Sequence, residues 1–120
     1  MINSPNYPST YNPNHTCNWT IVVPPSEHVV LQFESFSTEE GFDELQVFDG
    51  PNRNSAIIGT LSGSSIPSAI YSTRNSMFLE FATDHENKNS SFPLQGFKIK
   101  YSRKGNANLL YDNDINFYLI

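Results

Sequence analysis

A chain of 120 residues with 38% apolar and 13% aromatic side chains has enough material for one buried core and too little for two, and with 16% charged residues it is not disordered. Seven Lys and Arg against twelve Asp and Glu give a net charge of −5, which argues against a nucleic-acid surface and suits cations or basic partners. No apolar run approaches the ~20 residues that span a bilayer, and Met1 to Pro5 has neither the basic nor the apolar region of a secretion signal, so the chain reads as intracellular or as a piece of something longer.

The opening, Ser4-Pro5-Asn6-Tyr7-Pro8 through Tyr11-Asn12-Pro13, is too rich in proline for a central strand and predicts an ordered loop or edge. Beyond it the apolar residues alternate with a period of two. Cys17, Trp19, Ile21 and Val23 share a face opposite Asn18, Thr20 and Val22, and Val29, Leu31 and Phe33 oppose Val30, Gln32 and Glu34. Leu45 and Val47 repeat the pattern. So do Met77, Leu79 and Phe81 against Phe78 and Glu80, and Phe97, Ile99 and Tyr101 against Lys98 and Lys100. No helical stripe occurs, and turn signals at Pro24-Pro25-Ser26, Asp49-Gly50-Pro51-Asn52, Ser62-Gly63-Ser64-Ser65 and Arg74-Asn75-Ser76 separate the strands. The fold expected is all-β, an antiparallel two-sheet β-sandwich of jelly-roll type. Its expected core is Trp19, Ile21, Leu31, Phe33, Leu45, Val47, Leu79, Phe81, Phe97 and Ile99.

Two acidic segments carry the most chemistry. Phe33 to Glu39, leading to Asp43, and Phe81 to Asn87 are each a strand pattern that runs out into a loop. Glu39, Asp43, Asp84 and Asn87 are hard oxygen donors, the type that a calcium ion takes in sets of six to eight. Other chemistry is thin: His15, His28 and His85 lack paired-ligand spacing for zinc, and no serine stands in a Gly-x-Ser-x-Gly elbow, so no enzyme is expected. Glycan acceptor triplets begin at Asn14, Asn18 and Asn89, but a chain with 14 asparagines and 22 serines plus threonines yields about that many by chance.

The order of these residues resembles the CUB domain, an extracellular β-sandwich module. The resemblance covers residues 3 to 101. It is carried by Ser4-Pro5-Asn6-Tyr7-Pro8, Tyr11-x5-Cys17-x-Trp19-x-Ile21, Val29-x-Leu31-x-Phe33-x-x-Phe36-x-x-Glu39, Phe42-Asp43-x-Leu45-x-Val47-x-Asp49-Gly50, Ile58-Gly59-x-Leu61-x-Gly63, Phe81-x-x-Asp84-x-x-Asn87 and Gly96-Phe97-x-Ile99-x-Tyr101. It implies a secreted or cell-surface protein-recognition module, part of a larger multidomain protein, rather than an enzyme in itself. It also implies a calcium site formed by Glu39, Asp43 and Asp84, completed by the Asn87 side chain, the Glu86 backbone carbonyl and water. The ion in such modules holds the carboxylates so that one or two of them receive a lysine or arginine of a protein partner.

Three departures bear on that expectation. The resemblance implies a disulfide from Cys17 to a cysteine upstream of Ser4, which this sequence lacks, so the chain reads as truncated at its N-terminus; a small buried residue beside Trp19 is the plainer role. A second bridge would join positions near Glu40 and Ser62, and neither is a cysteine, which forgoes on the order of 3 kcal/mol of stabilisation. Only Glu40, Gly41 and Phe42 separate Glu39 from Asp43, a shorter connection than is usual, which could draw one carboxylate out of reach. The alternative is an ion-free structural or carbohydrate-binding sandwich that uses exposed aromatics such as Tyr7, Tyr11 or Tyr71. Residues 1–101 then form the domain and residues 102–120 a linker and tail, by default disordered.

Overall fold

The computed structural model describes residues 1–84, 94–105 and 118–119, the last pair through their backbone. Nine strands and no helix occur among the described residues: β1 (Ile2–Asn3), β2 (Thr16–Val22), β3 (His28–Ser37), β4 (Glu44–Asp49), β5 (Ala56–Leu61), β6 (Ile70–Tyr71), β7 (Ser76–Ala82), β8 (Gly96–Lys104) and β9 (Tyr118–Leu119). They form two antiparallel sheets, ordered β1-β8-β3-β6 and β5-β4-β7-β2-β9. The predicted β-sandwich is therefore the observed fold, and the proline-rich opening is the connection between β1 and β2, with a cis peptide at Tyr7-Pro8.

Alternation places the apolar faces against each other. In the second sheet Trp19 pairs with Leu79, Cys17 with Phe81 and Val47 with Leu79, so one row of inward side chains crosses three strands. In the first sheet Leu31 pairs with Tyr101 and Phe33 with Ile99. Phe97 joins the two: it is fully buried, 4.9 Å from the Phe81 ring, 5.8 Å from Trp19 and 6.0 Å from Phe36. All ten predicted core residues lie in this cluster, nine of them buried and Trp19 half-buried against it.

Two interruptions of the period have local causes. Phe36 is buried although it is three residues beyond Phe33, because a register shift between Phe33 and Ser35 turns β3 back toward the core. Phe78 and Phe48 are buried although they point away from the core. Their rings pack 5.7 Å apart, and Arg53, from the turn between β4 and β5, lies over Phe78 while it pairs with Glu80.

The topology also gathers the acidic segments. Residues 38–43 carry the chain from the first sheet, at Ser37, to the second, at Glu44. Glu44 is in register with Ala82, so the exit of β7 toward Asp84 lies at the same end of the sandwich. At the C-terminal side, β8 continues to Lys104, and Tyr118 and Leu119 pair with Val22 and Ile21 of β2.

Candidate metal centre

Each of Glu39, Asp43 and Asp84 presents a carboxylate oxygen within 4.8 Å of the other two. Two oxygens bound to one calcium at 2.3–2.6 Å stand at most about 5.2 Å apart, so this spacing is compatible with a shared ion. Glu86 and Asn87 lie outside the described residues, as do His85 and Asn89.

The short connection is closed by its own hydrogen bonds. The Phe42 and Asp43 N–H groups both donate to the Glu39 carbonyl, at 3.1 and 2.9 Å, and Gly41 makes the reversal at φ 79°. The Thr38 hydroxyl donates to the Asp43 carbonyl at 2.9 Å and accepts the Gly63 N–H at 3.1 Å. Further along, Thr38 N–H donates to the Gly63 carbonyl and Gly41 N–H to the Ser62 hydroxyl. Near the positions where the resemblance implies a second disulfide, polar contacts therefore link the same two loops. The shortening leaves Asp43 beside Glu39 rather than out of reach.

Asp43 is the buried member of the trio, with no exposed surface. Its Oδ2 accepts the Tyr11 hydroxyl at 2.6 Å and its Oδ1 accepts the Asp84 N–H at 2.8 Å, so both oxygens are fixed in direction. Burial pushes its carboxyl above the usual carboxylate range; the bonds from Tyr11 and from the Asp84 backbone oppose that shift, and the Asp84 carboxylate adds to it. Burial, aided by the bond to Asp43, also pushes the Tyr11 hydroxyl well above the usual phenol range, so it remains a donor. The same hydroxyl accepts the Glu39 N–H at 3.0 Å, linking two of the three acidic residues through one atom.

Residues 1–101 match the sequence model of the CUB domain. The chain belongs to this family. Human Tolloid-like protein 1 is 40% identical to it over 102 residues, which is 82% of this chain and 10% of that protein; the chain spans about a tenth of the length of the curated relatives of this type. Among solved structures, the MASP-1 CUB2 domain bound to Ca2+ superimposes with a TM-score of 0.71 at 26% identity, covering 83% of this chain and 88% of that one. The full extracellular region of zebrafish Gpr126/Adgrg6 gives a TM-score of 0.70 at 28% identity over 87% of this chain and 13% of that one. A CUB domain is an interaction module without catalytic machinery of its own, and the relatives are multidomain proteins.

Within this CUB domain, Tyr11 corrects the sequence reading. Far from being an exposed aromatic, it is 2% exposed, with its ring edge-on to Phe81 at 5.1 Å. Burial is the reason: a phenol enclosed by the core requires a polar partner, and Asp43 provides it. Tyr7 is half-buried and Tyr71 exposed. Tyr11 lies on no alternating strand, so periodicity could not identify it as a support for the acidic site. Cys17 is a half-buried free thiol, and burial pushes its pKa up.

Proposed function

We propose that this CUB domain is an extracellular, calcium-stabilised protein-recognition module, in which Glu39, Asp43 and Asp84 hold the ion and receive a lysine or arginine of a protein partner. The observation that carries the reading is the convergence of three carboxylates within 4.8 Å, one of them buried and hydrogen-bonded through both oxygens. Support comes from the MASP-1 CUB2 domain, a relative in fold that is bound to Ca2+, and from the likeness to part of an extracellular region in Gpr126/Adgrg6.

Three close carboxylates repel one another, and a divalent cation between them offsets that repulsion when bound. Asn87, through its side chain, and Glu86, through its backbone carbonyl, are assigned to complete the shell. Tyr11 and the Asp84 N–H aim the Asp43 oxygens before any ligand arrives, so little ordering remains to be done on binding. Glu39 and Asp84 are only partly buried, so a basic side chain can approach both from the surface and form a charge-assisted bond.

The test is a calcium titration followed by thermal unfolding. A saturable rise in Tm at sub-millimolar to millimolar calcium, absent in Asp84→Asn, is the expected result. No rise, or an equal rise in Asp84→Asn, overturns the assignment.

A further inference from the structure

Three Asn-x-Ser/Thr triplets are no more than chance supplies, so the sequence alone selects none of them. Among the described residues, the triplets at Asn14 and Asn18 differ in exposure and setting. Asn14, His15 and Thr16 are all exposed, with Asn14 in the β1–β2 connection and Thr16 opening β2, whereas Asn18, though exposed, lies inside β2 in register with Glu80 and is followed by half-buried Trp19 and Thr20. A bulky oligosaccharide must stand clear of the folded chain, which favours an acceptor in a surface loop over one within a paired strand.

The backbone around Asn14 is held independently of its side chain. Asn14 N–H donates to the Asp84 carbonyl at 2.5 Å, Thr83 N–H donates to the His15 carbonyl at 2.8 Å, and His15 N–H donates to the Thr83 hydroxyl at 2.8 Å. Asn14 takes φ 55°, a left-handed conformation that asparagine tolerates better than most residues, and its side chain is left on the surface. Asp84 in turn donates its N–H to Asp43, so Asn14 is two hydrogen bonds removed from the buried carboxylate.

We infer that Asn14 carries an N-linked oligosaccharide that stands at the rim of the acidic cluster. This rests on the extracellular reading above, because the donor and the transferase belong to the secretory pathway. The amide nitrogen of Asn14 bonds to the anomeric carbon of a lipid-pyrophosphate-linked oligosaccharide. The anomeric C–O bond breaks, the pyrophosphate leaves with the bonding electron pair, and the amide gives up one proton.

The test is glycopeptide mass spectrometry on the full chain secreted from cultured mammalian cells behind a heterologous leader. Oligosaccharide is expected on the peptide that contains Asn14, released by a peptide N-glycosidase, lost in Asn14→Gln and Thr16→Ala, and retained in Thr16→Ser. The wild-type measurement needs no variant to fold. A secreted wild-type chain with Asn14 unmodified overturns the inference, whether or not Asn18 is modified. Calcium titration of the same preparation reads the ion site separately, so the failure of one proposal is distinguishable from the failure of the other.

Discussion

Tyr11 and Asp43, 32 residues apart, meet through a buried 2.6 Å hydrogen bond that joins the β1–β2 connection to the crossing between the sheets. Tyr11→Phe keeps the edge-on contact with Phe81 and removes only the hydroxyl. A buried carboxylate oxygen and the Glu39 N–H then each lose a partner, and leaving such groups unsatisfied costs about 1–3 kcal/mol. Urea unfolding in calcium-free buffer should show that loss as a lower midpoint with an unchanged slope. An unaltered midpoint would mean that water replaces the phenol at no cost.

Asp84→Asn separates the ion from the scaffold. The two backbone bonds of Asp84, its N–H to Asp43 and its carbonyl from Asn14, do not involve the side chain and survive the change. One carboxylate leaves the cluster, which relieves repulsion on Asp43. Stability without calcium should therefore change by less than about 0.5 kcal/mol, the range of ordinary surface substitutions. The stabilisation that calcium gives the parent chain should vanish, as read by thermal melts with and without a chelator.

How much of this was legible in the sequence depended on whether a residue obeyed a period. Leu31, Leu45, Leu79 and Ile99 could be assigned to the core because each sits on an alternating strand, and all four are fully buried. Phe36 and Phe78 escaped the same rule for three-dimensional reasons, one a β-bulge and the other cover from Arg53 on a turn. In the acidic cluster, Glu39, Asp43 and Asp84 could be grouped because their types and loop positions suited one ion. The supports could not: Tyr11 reaches Asp43 across 32 residues, and the Thr38 hydroxyl that closes the connection onto the Asp43 carbonyl also accepts the Gly63 N–H, 25 residues on, so both depend on contacts that only the folded chain creates.

Gly96→Ala tests how the opening segment is attached. Gly96 takes φ 84°, and a Cβ there would fall onto the Ser4 side chain, whose hydroxyl accepts the Phe97 N–H at 2.9 Å. The substitution combines backbone strain with loss of that buried contact. A loss of about 1–3 kcal/mol is expected, together with faster hydrogen exchange at Ser4, whose N–H donates to the Phe97 carbonyl. Normal protection at Ser4 in the variant would show that the segment is held elsewhere.

The final prediction concerns pH and follows from the raised pKa of Asp43, caused first by burial. An unfolded aspartate titrates near 3.9, so the folded domain holds this proton more tightly than the unfolded chain does. In the metal-free protein, the resulting stability is fully present below the unfolded pKa and is lost as pH rises through the folded one. Calcium reverses the direction, because a carboxylate ligand must be ionised. Affinity should therefore fall as pH drops through the raised value of Asp43, and binding in that window should release protons. Calorimetric titrations in two buffers of different ionisation heat, run upward from the ordinary aspartate value of about 3.9, measure both effects. Tyr11→Phe removes a bond that lowers the Asp43 pKa, so in that variant the loss of affinity should begin at higher pH. An affinity independent of pH in both proteins would exclude Asp43 as a ligand.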